Sequence, residues 1–263
     1  KPVIHDTADL ISLRDVDNPN TFFYEALANK GAAGRIYSTK YQRDKASELY
    51  RLTSSSLIFE NYISEEDRPK QFLKKLSNGN NNIHIVYQGS ISKVKHRDFS
   101  DIFNSIAKEN IFLHIYPTRF DNELNEYFGR NKNIYYYQPI SPKQIIYEMT
   151  KFDVGIIPWN LEMGQKAFLD TTIANKLFEY LAAGLPVITS NVKSYSDYFS
   201  INKVGQIFDT LEEIPELIKE LLSFTKTEEL IKFAPSFEDN IDRLINFYSQ
   251  VINEYVHKAS STI

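Results

Sequence analysis

FLDTTIANKLFEYLAAGLPVITS, residues 168–190, decides how the rest of the chain is read. It reads as loop, helix, tight stop and strand. Asp170, Thr171 and Thr172 are residue types that cap helix N-termini. From Ile173 to Ala183 most residues are good helix formers, and Ile173, Leu177, Tyr180 and Leu181 fall on one face. Gly184 suits a left-handed stop and Pro186 cannot continue a helix. Val187–Ile188 then opens a buried strand.

The chemistry follows from that geometry. A helix N-terminus presents unpaired N–H groups and a positive dipole end, which suits phosphate. Asn175 and Lys176 lie in the first turn, and Glu179 lies one turn after Asn175 on the same face. A carboxylate placed there can accept hydrogen bonds from both vicinal hydroxyls of a ribose. Phosphate at the tip with ribose beside it describes a nucleotide. The same pattern also suits an ordinary capped helix feeding a core strand.

The chain has 263 residues, enough for one large or two modest domains. Apolar residues make up 42% and charged residues 24%, as in soluble globular proteins. A net charge of −4 argues against a general nucleic-acid-binding role. The absence of cysteine rules out disulfides and thiolate chemistry and fits a reducing cytoplasm. No apolar run approaches the roughly 18 residues of a membrane span, and no signal peptide is visible. The sequence opens at Lys1, straight into an expected strand, and so reads as a fragment with upstream sequence missing. The five histidines show no metal-ligand spacing. Neither a P-loop nor a G-x-S-x-G elbow occurs, and Gly89 alone is no dinucleotide fingerprint.

In order, PVIHDT (2–7), GRIYST (34–39) and SLIF (56–59) read as strands, separated by helices over 21–30 and 40–51. Strand alternating with helix predicts a parallel α/β sheet, although three strands are too few for a complete domain. A helix is expected over Pro69–Leu76, and the Asn-rich stretch up to 82 places a domain junction nearby. The second set of elements begins with the strand IHIVYQG (83–89). The strands IFLHIYP (111–117), NIYYY (133–137) and FDVGIIPW (152–159) follow, with helices at 99–108, 122–128 and 143–149. A strand is expected over VGQIFD (204–209). Thr210 with Glu213, and Ser236 with Asp239, resemble capping boxes opening two amphipathic helices.

NKLFEYLAAGLPVITS resembles the most characteristic segment of GT-B glycosyltransferases, in particular glycosyltransferase family 4. The resemblance implies that Glu179 binds the donor ribose, and that Thr171, Thr172, Asn175 and Lys176 surround the donor diphosphate. Many members carry a further glutamate eight residues before the ribose glutamate; here Thr171 stands there, with Asp170 beside it. The loop after the first strand of the C-terminal domain approaches the donor phosphates in this family. That makes Gly89, Ser90, Lys95 and Arg97 candidates by position. A loop matching Gln138, Pro139 and Ile140 touches the base, and Gly164 lies in a loop that would shape the sugar pocket. Asp170, Thr171, Lys176 and Arg97 are thereby the catalytic candidates. IHDTADLISLR resembles the end of the family's N-terminal domain, with Asp6, Asp9 and Leu10 matching and Ala8 where a histidine is common. For His5, Asp6 and Asp9, strand-end and turn roles are the expectation.

The fold implied is α/β and GT-B-like. Residues 65–235 would form a nearly complete C-terminal Rossmann-like parallel-sheet domain, 1–64 a remnant of the N-terminal one, and 236–263 a helix packing back toward the N-terminal part. The function implied is transfer of a hexose from a nucleotide-diphosphate sugar to a glycan or lipid-linked acceptor in glycan or polysaccharide synthesis. Transfer would retain anomeric configuration, without metal or cofactor beyond the donor substrate. A fragment of this kind can bind donor without transferring. The expected location is cytoplasmic, or peripheral at the inner face of the membrane, with no nucleic-acid partner. A GT-B nucleotide-sugar epimerase and a non-catalytic GT-B-like partner subunit remain the alternatives.

Overall fold

The computed structural model describes residues 1–79, 82–93, 97–108, 110–162 and 165–260. Its strands are β1 (Ile4–Thr7), β2 (Gly34–Tyr37), β3 (Ser56–Ile58), β4 (Ile83–Gly89), β5 (Ile111–Pro117), β6 (Ile134–Tyr136), β7 (Val154–Ile157), β8 (Val187–Ser190) and β9 (Gly205–Phe208). The first helices are α1 (Ile11–Arg14), α2 (Pro19–Gly31), α3 (Lys40–Tyr50), α4 (Ser100–Ile106), α5 (Asn122–Phe128) and α6 (Pro142–Met149). The remainder are α7 (Lys166–Leu169), α8 (Lys176–Ala182), α9 (Lys193–Asn202), α10 (Ile214–Phe224), α11 (Thr227–Leu230) and α12 (Phe237–Ser260). No helix among the described residues is long and apolar enough to cross a membrane.

The chain divides into two compact units, 1–62 with 165–173 and 236–263, and 63–164 with 174–235. Residues 165–173, expected in the second domain, therefore belong to the first unit. That unit is built on a parallel sheet of order β1-β2-β3. α12 covers it, with Phe247 and Val251 buried against Ile36. A side chain at Gly34 would meet Val251 Cγ2 at 2.6 Å, so the bare backbone sets how close this helix comes. Ser236 and Asp239 open α12 reciprocally. The Ser236 hydroxyl accepts from the Asp239 N–H at 3.1 Å, and the Asp239 carboxylate accepts from the Ser236 N–H at 3.1 Å.

The second unit carries a six-stranded parallel sheet of order β6-β5-β4-β7-β8-β9. The chain winds from β4 outward through β5 and β6, then returns to the other side of β4 for β7, β8 and β9. β4 and β7 thus flank a topological switch point, the place where open α/β sheets collect ligands beyond the strand C-termini. Buried branched residues hold the strands: Ile85, Leu113, Val154, Ile156 and Ile188 are all fully enclosed. β4 pairs with β5 along its whole length, but with β7 only at Ile85↔Val154 and Val86↔Gly155. Beyond that point Tyr180 of α8 enters the gap. Its hydroxyl accepts from the Gln88 N–H at 3.0 Å and donates to the Ile156 carbonyl at 3.2 Å. Gly155 makes room for it, since a side chain there would lie 2.5 Å from the Tyr180 ring.

Several expectations need correction. α8 begins at Lys176, not Ile173. Residues 69–75 form no helix, and only a short 3-10 turn begins at Leu76: the Leu73 N–H bonds the Thr150 hydroxyl at 3.0 Å, and the Lys75 ammonium reaches the Phe152 carbonyl. These contacts hold the segment out of a helix. α10 begins at Ile214, so only the acid half of the Thr210–Glu213 box forms, with the Glu213 carboxylate taking the N–H groups of Asp209 and Thr210. α7 and α9 were not expected.

Candidate functional site

At the C-terminal end of β4 the chain reads Tyr87, Gln88, Gly89, Ser90. Gly89 has φ +135°, a conformation that L side chains rarely adopt. A Cβ there would also stand 2.9 Å from Lys176 Nζ, so the ammonium of α8 lies directly over this glycine. The same ammonium sits 4.9 Å from the centre of the Tyr87 ring. The Tyr87 hydroxyl donates to the Ser90 carbonyl at 2.6 Å and closes the turn.

One turn along α8, Glu179 accepts a hydrogen bond from the Gln88 amide. Both Glu179 and Lys176 are partly buried. Burial lowers the Lys176 pKa to about 8; Glu179 opposes that shift and Arg97 adds to it. Burial raises the Glu179 pKa, Lys176 and the Gln88 bond pull it down, and Asp67 pushes it up again. An acid and a base at the switch point, each drawn out of water and each moderating the other, form a polar cluster prepared for a ligand with hydroxyls and negative charge. Glu179 is not enclosed by apolar packing.

α8 ends as its sequence predicts. Gly184 adopts φ +69°, and the Leu185 N–H bonds back to the Tyr180 carbonyl at 2.9 Å. Its start differs. Asn175 occupies the capping position in helical conformation and makes no side-chain cap bond. The N–H groups of Leu177, Phe178 and Glu179 bond to carbonyls of Ala174 and Asn175, and that of Ala174 bonds the Tyr195 hydroxyl at 2.7 Å. Within this stretch that leaves the amides of Asn175 and Lys176 facing out of the helix.

Thr171 and Thr172 do not cap α8. Their hydroxyls donate back to the carbonyls of Phe168 and Leu169, at 2.7 and 3.2 Å, and finish α7 instead. Both are buried, and the Thr171 carbonyl accepts from the Thr39 hydroxyl at 2.6 Å within the first unit. Asp170 closes α7 and pairs with Lys166 at 2.6 Å. Among the other expected residues, Ser90 sits in the β4 turn with its hydroxyl 3.2 Å from that of Thr118. Arg97 is exposed, and its charge is felt by both Lys176 and Tyr87. Gln138 and Ile140 lie exposed in the loop after β6. Lys95 and Gly164 fall outside the described residues.

Gln88, Tyr87 and Asp67 were missed. The only signal for Gln88 was its place beside the glycine that ends a buried strand. Among the described residues no group of three His, Asp or Glu side chains is arranged to hold a metal ion.

The chain is 36% identical over 67 residues to TuaH of Bacillus subtilis, described as a teichuronic acid biosynthesis glycosyltransferase. That stretch is 26% of this chain and 16% of TuaH. Its fold is similar to that of TarM, with a TM-score of 0.65 at 12% identity, over 94% of this chain and 50% of TarM. It is also similar to Anabaena HepE, solved with UDP-glucose, with a TM-score of 0.61 at 13% identity, over 98% of this chain and 72% of HepE. The chain thus spans about half the length of TarM and less of TuaH. The parallel sheets are those of GT-B glycosyltransferases. A family profile, glucosyltransferase 3-like C-terminal domain, matches residues 71–250, more than half of the sequence, and the chain belongs to that family.

Proposed function

We propose that this chain carries the donor-binding part of an enzyme that moves a sugar from a nucleoside-diphosphate sugar to a glycan acceptor. The observation that carries the reading is the Lys176–Glu179 cluster at the end of β4, with Lys176 over Gly89 and Glu179 tied to Gln88. In this reading Glu179 accepts hydrogen bonds from the ribose hydroxyls. The Lys176 ammonium and the amides of Asn175 and Lys176 face the diphosphate, and Arg97 adds charge from the loop after β4. Gln138 and Ile140 remain candidates beside the base.

As the glycosidic bond breaks, the leaving diphosphate gains negative charge. A cation already fixed and partly desolvated stabilises that charge without reorganising at the moment of reaction. The step needs no metal on this account, and the resemblance to retaining GT-B enzymes implies retention. HepE, solved with UDP-glucose, makes UDP the first nucleotide to try.

Calorimetric titration with UDP, GDP and ADP tests the site. One of the three should bind, and Glu179→Ala should weaken it by roughly tenfold or more, the loss of hydrogen bonds to a charged acceptor. Binding by none of them, or equal binding by the variant, rejects the reading.

A further inference from the structure

Glu179 and Tyr180 are neighbours on α8, and both reach Gln88. The Glu179 carboxylate takes the Gln88 side-chain amide through Oε2. The Tyr180 hydroxyl takes the Gln88 backbone N–H at 3.0 Å. The residue of β4 that precedes Gly89 is therefore held twice, through its side chain and its backbone, by consecutive residues of one helix.

Tyr180 also stands in for a rung of the sheet. β4 stays paired with β5 through Gln88 and Gly89, but its pairing with β7 stops at Val86↔Gly155. Across the gap that follows, the Tyr180 hydroxyl accepts from Gln88 and donates to the Ile156 carbonyl at 3.2 Å. Burial raises its pKa well above the usual tyrosine value, so it keeps the proton it donates. The side chain is wholly enclosed, in space that Gly155 leaves for its ring. A phenylalanine would fill that space as well. What the oxygen adds is the position of Gln88.

We propose that Tyr180 is a positioning residue for ribose recognition: its hydroxyl bridges β4 and β7 so that Gln88 holds one oxygen of Glu179 and leaves the other for the 2′-hydroxyl of a ribonucleotide. The proposal rests on the donor-site reading and adds to it a substrate class, ribonucleotide over 2′-deoxyribonucleotide, and the residue that sets it. Without the hydroxyl, the Gln88 N–H and the Ile156 carbonyl lose their partner inside the sheet. The two strands then gain by closing on each other, which turns Gln88 and draws its amide away from Glu179.

Tyr180→Phe tests this, because it removes one oxygen and keeps the ring. Calorimetric titration compares UDP with 2′-deoxy-UDP. Wild type should favour UDP by about tenfold, the worth of one hydrogen bond to a charged acceptor. Tyr180→Phe should bind UDP about tenfold more weakly, bind 2′-deoxy-UDP nearly as wild type does, and so lose the preference. Tyr116→Phe removes another buried hydroxyl, bonded to Glu148 at 2.8 Å on β5, and should keep the preference whatever it costs in melting temperature. In a Gln88→Ala background, Tyr180→Phe should weaken UDP no further, as expected of a residue that acts through Gln88. A folded Tyr180→Phe that retains the preference, or loses as much affinity with Gln88 as without it, overturns the proposal and leaves the donor site standing. Should Tyr180→Phe not fold, Gln88→Ala carries the test: it should lose the same preference, and its keeping that preference overturns the proposal. A wild type that binds no UDP overturns the donor reading and this proposal with it.

Discussion

Lys176 should lose its hold on a diphosphate between pH 7 and pH 9. Burial brings its pKa down to about 8, and Arg97 pushes the same way. With a pKa near 8, about nine-tenths of the free protein carries the charge at pH 7 and about one-tenth at pH 9. If only the cation grips phosphate, the apparent affinity for UDP falls about tenfold over those two units, or about 1.4 kcal/mol. The phosphates of the nucleotide contribute little slope of their own, since a terminal phosphate loses its last proton at about pKa 6. Tyr87, Tyr180 and Tyr195 contribute none either, because burial raises all three.

The assay is calorimetric titration with UDP at pH 7, 8 and 9, repeated in two buffers of different ionisation enthalpy. At pH 8 binding should take up about half a proton per site, which the buffer comparison reads directly. Lys176→Met should bind more weakly at pH 7 and show neither slope nor proton uptake. A thermal melt checks that leaving Glu179 without its cation has not unfolded α8. A wild type that binds equally at pH 7 and 9, or a slope that survives in Lys176→Met, refutes the reasoning.

Two further outcomes concern stability. His114 is 3% exposed, lies 2.9 Å from both the His84 ring nitrogen and the Tyr137 hydroxyl, and has its pKa lowered by burial to about 3. A depressed histidine gives stability that is complete above the unfolded pKa of about 6.5 and is lost as pH falls toward the folded value. His84 acts in the same direction, and the raised carboxyls of Asp9, Glu60 and Glu179 act against it. Between pH 6.5 and 4.5 the His114 share is about 2 kcal/mol. Urea midpoints should fall over that range, and His114→Gln should start lower at pH 7 but fall less; parallel slopes for the two proteins would contradict this. At Gly184, with φ +69°, a Cβ would lie 2.3 Å from Thr227 Cγ2. Gly184→Ala should cost about 1–3 kcal/mol and lower the melting temperature, and adding Thr227→Ala should recover part of the loss but not the strain of the left-handed backbone.

What was legible followed from how each element is stabilised. β4 and β5 were expected over 83–89 and 111–117, and they occupy those residues, because buried parallel strands are near-continuous apolar runs with turn residues at both ends. α5 was equally plain, with Asp121 ahead of it accepting from Glu123 and Leu124 N–H groups. α9 was not. Its sequence, KSYSDYFSIN, is polar and carries no cap, and what holds it is Tyr195 and Phe199 inserted into the core beside β9. The absent helix over 69–76 failed for the converse reason. Its residues suited a helix well enough, but Thr150 and Phe152, more than 70 positions away, offered its backbone and Lys75 better partners.

The site shows the same division at close range. Lys176 and Glu179 could be placed from spacing alone, because one helix turn fixes which side chains share a face. Thr171 and Thr172 could not, because a threonine hydroxyl bonds backward to a carbonyl as readily as forward to an N–H. Asp170-Thr171-Thr172 therefore reads equally well as the start of one helix or the end of another. The four residues of α7 that settle the matter are too few to announce themselves. Gln88 lies 91 residues before Glu179, and only the strand order that sets β4 against β7 brings the two together. Residues on one turn are legible because local geometry joins them. The partner that ties the carboxylate in place comes from the sheet, so Gln88→Ala tests what the helix alone does not specify. It should loosen Glu179, shift its pKa upward as a favourable hydrogen bond is removed, and weaken UDP while Lys176 and its pH slope persist. Loss of that slope in Gln88→Ala would mean that the two charges are held by the sheet as one unit, and not by α8.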